Sequence, residues 1–591
     1  MSFRTVATTL AGFAIMSLTA QAQTTSKPNV YVQHNLVSDI AGMADVTDPN
    51  LVDPWGISTS ATSPFWVSDA GKSRSTLYNG SGAITAVVVS IPAGAKGPAN
   101  SSPSGQVNNN TTAFILANGT KASFIFATED GTISAWNGGT ASTIMVDNSG
   151  AGAVYEGLAI GTSANGATLY APNFKTGNID VFDGKFAPAT LAGNFTDPNL
   201  PAGFAPFNIW NLSGKLYVMY AQQNAAKTRP TNGAGLGYVS TFDLNGNFLK
   251  RVASAGPLNA PWGVALAPAN WGAFGGAMLV GNFGDGTINA FDQTSGNALG
   301  ALQDQNGKTI VNSGLWALIF GNGGNGGDVN TLYFAAGIQN ETHGLLGAIA
   351  PPTQILSVVN AASGASGAVA PGEVVLVEGF SIGPSPRVVA TVPATGALGT
   401  TAGSTTVTFD GHAAPMLYAS ASAVAVIVPY EVSGTSTSVG VSFVNATNNQ
   451  VPTAVSVPLA ASAPGVFTSD ASGSGVAVAI NQDGTVNSAS NAAARGSVVL
   501  LYATGEGATA PAVADGAITT GRIVPGPILP VTLSIGGVPA RVISAESAPG
   551  SVAGVMQIEA IVPTSVAPGA AAVVVTVGTA SSQAGVTLNV K

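Results

Sequence analysis

Between about residue 50 and residue 350, short apolar runs bounded by Gly, Pro, Asn and Asp recur, and none keeps a helical period. The runs predict strands, and self-comparison groups them into six units, the mark of a propeller or solenoid. Each unit opens on a first strand: Trp55 to Ser58, Ala113 to Leu116 or the stretch just before it, Gly157 to Ile160, Phe207 to Trp210, Trp262 to Ala265, and Trp316 to Ile319. Second strands follow at Phe65 to Ser68, Phe124 to Ala127, Thr168 to Ala171, Leu216 to Met219, Met278 to Gly281 and Leu332 to Ala335. Third strands come after a Gly-containing turn, at Gly131 to Trp136, Gly177 to Phe182, Tyr238 to Phe242 and Gly286 to Phe291, and end on Asn137, Asp183, Asp243 and Asp292. The expected fold of residues 23–350 is a six-bladed β-propeller. Val30 to Gln33 precede the first unit, and the sixth lacks a strand after Leu345 to Ile349, so the amino-terminal segment is expected to complete it and close the ring.

From Pro351-Pro352 the pattern changes to alternating Val-rich strands, and a duplication emerges. Ala370 to Leu376 recurs as Ala494 to Leu500, Thr406 to Pro415 as Val531 to Ala540, and Ala425 to Pro429 as Ile558 to Pro563. Two immunoglobulin-like β-sandwiches without disulfides are expected, at residues 351–467 and 468–591, so the fold class is all-β throughout.

Composition narrows the function. Of the 591 residues 46% are hydrophobic and only 8% charged, so Gly, Ser, Thr and Asn must cover the surface. The 19 basic residues against 28 acids give a net charge of −9 and no basic stripe, which argues against nucleic acid as a partner. No cysteine is present and there are three histidines, which excludes disulfides and thiolate metal sites. Arg4, an apolar run from Val6 to Leu18 and Ala20-Gln21-Ala22 read as a signal peptide over residues 1–22, cleaved after Ala22. The expected location is secreted, periplasmic or at the cell surface, with no membrane span.

The blades resemble NHL-type and YVTN-type six-bladed propellers. The segments Asp48 to Gly56, Ala127 to Ile133, Asn259 to Gly263 and Gly281 to Asn289 resemble more closely a family of secreted bacterial propeller proteins of uncharacterised function. The carboxyl-terminal pair resembles an immunoglobulin-like module found on secreted proteins of soil bacteria, which implies a presenting or attaching role.

Aligned first strands put Trp55, Ser104, Glu156, Phe207, Trp262 and Trp316 at equivalent positions near one mouth of the axis. Five of them, Trp55, Glu156, Phe207, Trp262 and Trp316, are the candidate ligand-binding set, because aromatic faces suit sugars and other planar surfaces. The alternative is that these bulky residues wedge neighbouring blades apart. Propellers of the lactonase type hold an axial Ca²⁺, for which Asp53, Glu156, Asn208 and Asn282 are the candidate ligands. Asp130-Gly131 and Asp285-Gly286 are explained as tight hairpin turns. The leading reading is a non-catalytic binding or adhesion protein without a cofactor, engaging a neutral polysaccharide, a peptide or a cell-surface protein. The alternatives are a Ca²⁺-dependent lactonase-like hydrolase and a structural matrix component.

Overall fold

The computed structural model describes residues 28–391, 393, 396–443, 454–520 and 524–591, so the expected signal peptide lies outside the described residues. The chain divides into two compact units, Ser26–Pro351 and Pro352–Lys591. No helix among the described residues is long and apolar enough to cross a membrane.

The first unit is propeller-like. Six sheets follow one another, with innermost strands Pro54–Ser58, Pro103–Asn108, Ala159–Ser163, Phe204–Leu212, Pro261–Leu266 and Leu315–Phe320; their pairing is antiparallel except where Val32–Ser38 meets Val46–Thr47. These strands touch in cyclic order, and the last touches the first, so the ring is closed. Closure is made by Val32–Ser38, which pairs antiparallel with Leu345–Ala350 and so joins the sheet of Leu315–Phe320. Val37 there is fully buried opposite Leu346, which secures the junction by apolar packing as well as by the ladder.

The apolar run expected as a first strand at Ala113 to Leu116 is not one. The inner strand of that sheet is the stretch just before it, Pro103–Asn108, whose Ser104 and Gly105 carry no apolar signal. Phe114 instead fills the core between sheets from a loop, at a φ of +61°.

Each inner strand enters through an irregularity. The pairing register slips after Pro54, Pro103, Pro206, Pro261 and Leu315, and in the third sheet the isolated bridge of Tyr155 to Asn173 stands apart from the ladder that starts at Ala159. The displaced residues are Trp55, Ser104, Glu156, Phe207, Trp262 and Trp316, so the bulge turns each one towards the axis. The glycine after the tryptophan has a steric cause. A Cβ on Gly263 would lie 2.5 Å from the carbonyl oxygen of Trp316 on the next inner strand, and one on Gly56 would lie 2.5 Å from that of Ser104. At the far ends of the third strands the recurring aspartates close turns: Asp183 Oδ1 accepts from the amides of Lys185 and Ala187, and Asp243 Oδ1 from those of Asn245 and Asn247.

The second unit shows the duplication in its pairing. Val374–Phe380 pairs with Ala423–Ile427, and their counterparts Val498–Thr504 and Met556–Ile561 pair likewise. In the first half, two sheets face each other across a core that includes Val375, Val377, Val407, Phe409, Val426 and Val441. The second half departs from a two-sheet sandwich. Val538–Ser547 pairs with Val531–Ile535 at one end and Met556–Ile561 at the other, so one sheet continues through both layers. The corresponding stretch of the first half is split into His412–Ala413 and Met416–Ala419. Gly465–Val466 pairs with Val498–Thr504.

Alternate residues of the paired strands face opposite ways. Val375 and Val377 face the first half's own core, whereas Val374 and Leu376 meet Leu500 and Tyr502 in a third core shared by the two halves. Burial on both faces explains why these strands read as unbroken apolar runs.

Candidate functional site

Four of the displaced residues, Trp55, Phe207, Trp262 and Trp316, meet at one end of the axis, and the Trp262 indole donates to the Glu156 carbonyl at 3.0 Å. Trp55 and Trp316 stack with ring centroids 3.5 Å apart, Trp262 meets both edge-on at 6.2 and 5.7 Å, and Phe283 stacks on Trp316 at 4.1 Å. Phe207 packs against Trp316 at 5.9 Å. Trp55, Phe207 and Trp316 are wholly buried and Trp262 is 1% exposed, so the rings expected to offer faces to a ligand are spent on one another.

Above them lies a charged well. Asp53 enters it from a left-handed residue, φ +49°, at a position that is also left-handed in two other sheets, as Ala260 and Gly314. Its Oδ2 accepts from the Trp55 indole at 3.0 Å and its Oδ1 from the Trp316 indole at 3.3 Å. Burial, reinforced by the charge of Glu341, pushes the Asp53 carboxyl up to about 8. Glu156 is completely buried, and neither of its carboxyl oxygens has a hydrogen-bond partner. Desolvation, with Glu129 adding to it, raises its carboxyl well above the ordinary range.

Arg229 supplies the positive charge. Its Nη1 lies 3.4 Å from Glu129 Oε1 and 3.5 Å from Glu341 Oε2, and its guanidinium carbon is 5.7 Å from the centre of the Trp55 ring. Burial alone would lower the guanidinium, but the neighbouring acids, Glu129 and Glu341 ahead of Glu156 and Asp53, outweigh it and raise it above its usual value. Glu129 is fixed from behind by Ser102 Oγ at 2.5 Å. Desolvation raises its carboxyl against the opposing pull of Arg229. The Arg229, Glu341 and Glu129 side chains are 42%, 25% and 14% exposed, so these three form the outer layer over a buried floor.

Two connections build that outer layer. The segment from Gln222 to Gly237 is the longest link between second and third strands in the unit, and Asn224 pins it by accepting from Thr228 N and donating to Arg229 O. Glu341 ends a turn in which Gln339, Asn340 and Glu341 all have positive φ, at 54, 58 and 65°. Consecutive left-handed residues that are not glycine cost about 1–2 kcal/mol each, and such strain collects at functional sites.

Of the four expected metal ligands, Asn208 and Asn282 accept backbone amides at Oδ1, from Ile209 N at 2.8 Å and Asn259 N at 3.1 Å. Asn208 Nδ2 holds the Trp262 carbonyl at 2.8 Å, and Asn282 Nδ2 holds the Pro257 carbonyl at 2.7 Å, so both amides are committed to fastening backbone. Among the described residues no three His, Asp or Glu side chains are placed to share a metal ion. Sequence reasoning missed Glu129, Arg229 and Glu341. Their signal was scarcity: in a chain 8% charged, three ionic residues stand in turns that follow second strands.

Two uncharacterised proteins of Acanthamoeba polyphaga mimivirus, R648 and L690, are each 32% identical to this chain over 327 residues. Those spans are 53% of this chain, 78% of R648 and 84% of L690. The chain belongs to their family. These relatives are viral, whereas the resemblance drawn from the blade motifs implies a bacterial family. No family model matches. Among solved structures, a streptogramin B lyase matches at a TM-score of 0.33 with 12% identity, over 54% of this chain and 97% of that one. A glucose dehydrogenase matches at 0.32 with 11% identity, over 54% and 98%. Likeness at that level assigns no activity to this chain.

Proposed function

We propose that this chain is an exported, non-catalytic binding protein, in which a six-bladed β-propeller engages a partner at its charged axial mouth and two immunoglobulin-like modules space or attach it. The partner chemistry that suits the mouth is a peptide or protein segment presenting an arginine or lysine. The observation that carries this reading is the setting of Arg229: its guanidinium lies over an indole with Nη1 3.4 and 3.5 Å from two carboxylates, hydrogen-bonded to neither, so both acids are open to an incoming basic side chain. The unpartnered Glu156 carboxyl beneath gives a second group for an incoming donor to satisfy. A net charge of −9 favours approach of a cationic partner.

A peptide array of basic, neutral and acidic sequences tests the reading. Basic peptides are expected to be retained by the wild-type protein and to lose about tenfold or more in affinity when Glu129→Gln and Glu341→Gln are combined. Equal retention of all three classes, or no loss in the double variant, would refute it.

A further inference from the structure

We infer that the opposite mouth of the axis is a separate binding site for a single ring of a neutral sugar. A cavity of about 220 Å³ opens there, walled by the inner strands of five of the six sheets. Its polar lining includes Ser58, Gln106, Asn108, Asn110 and Asn211, and no charged side chain or histidine takes part. Half-buried Trp210 stands in the same wall, and Leu158, Ile160 and Ile319 supply apolar surface.

Two lining groups are left wanting a partner. Gln106 Nε2 donates to the carbonyls of Gly56 and Trp66, both at 2.8 Å, which fixes the amide. Its Oε1 is then buried without a partner, and so is the hydroxyl of Ser58; the two residues are 5% and 6% exposed. Leaving such a group unsatisfied costs about 1–3 kcal/mol, and a ligand hydroxyl can satisfy either one, since it both donates and accepts. Asn211 is already engaged, donating to the Ile160 carbonyl at 2.8 Å and accepting from Gly214 N at 3.0 Å, so it stiffens the rim.

The combination selects the ligand. Without charge in the lining, an ionic ligand has nothing to pair with and would lose its hydration. A pyranose brings hydroxyls for the amides and an apolar C–H face for an indole. The volume falls below the roughly 300–1,000 Å³ of pockets for drug-sized ligands, so one ring fits and the remainder of a chain would extend into solvent.

The test is saturation-transfer NMR and calorimetric titration of the full chain with methyl glycosides of glucose, galactose, mannose, xylose and N-acetylglucosamine. The corresponding short oligosaccharides, galacturonate and an uncharged Gly-Asn-Ser peptide amide complete the panel. Saturable binding of at least one neutral sugar is expected, with contacts concentrated on one terminal ring and weaker binding of galacturonate. Trp210→Ala and Asn110→Ala are each expected to weaken it by about tenfold or more. Asn110 is exposed, so its replacement keeps the fold and the test stands even if Trp210→Ala fails to fold. Failure of every neutral sugar to bind, binding indifferent to both substitutions, or binding of the peptide amide in place of sugars would each overturn the inference.

Discussion

Gly263 shows how a single residue ties sequence to architecture. Its absent side chain is where the carbonyl of Trp316 passes, so Gly263→Ala must push two inner strands apart at the axis. The expected loss is about 2 kcal/mol or more, read as a lower urea midpoint; an unchanged midpoint would show the strands free to separate. The Trp-Gly pair was legible as a repeated motif, but not whether its indoles face a ligand or one another. That depends on a bulge and on the next strand, and neither is written locally. Asp53 carries a pH dependence. With a folded-state value near 8 against about 4 when unfolded, it favours folding most while protonated, and this contribution is lost as pH rises from about 4 through 8. Glu373 and Glu506 in the second unit, also pushed up to about 8 by burial, act with the same sign. Melting temperature should therefore fall between pH 5 and pH 9, and Asp53→Asn should flatten the slope of the first unit. A flat or rising profile in the wild-type protein would contradict the burial argument.

At the scale of elements, the second strands were the easiest to place, because a fully buried strand announces itself by apolar and aromatic residues. Pro103–Asn108 was obscured because Ser104 stands where other inner strands carry an aromatic residue, and Gly105 sits where the backbone of Gly157 and Leu158 leaves no room for a Cβ. The closing role of Val32–Ser38 followed from counting strands in the last sheet. Val37→Asp would bury a charge at that closure, and about 3 kcal/mol or more of destabilisation is expected in the first unit, measured by denaturant unfolding. If stability stays the same, closure does not depend on that strand. The long Gln222-to-Gly237 connection and the left-handed turn before Thr342 could not be read from periodicity, since they answer to the charges they carry rather than to a core.

For the whole molecule, the duplication in residues 352–591 was visible as sequence, but not the core that joins its halves. Leu376 belongs to that shared core, so Leu376→Ala is expected to cost about 2–4 kcal/mol. Because the core is common, both halves should still melt in one transition; calorimetry resolving two would separate them. For the first unit the central claim is that its charged mouth receives a basic side chain. Calorimetric titration of an arginine-containing peptide into the wild-type protein and Arg229→Ala tests this most directly. Saturable binding is predicted, about tenfold or more tighter once the resident guanidinium is removed and abolished when Glu129→Gln and Glu341→Gln are added. No binding by either protein, or binding that ignores all three residues, would contradict it.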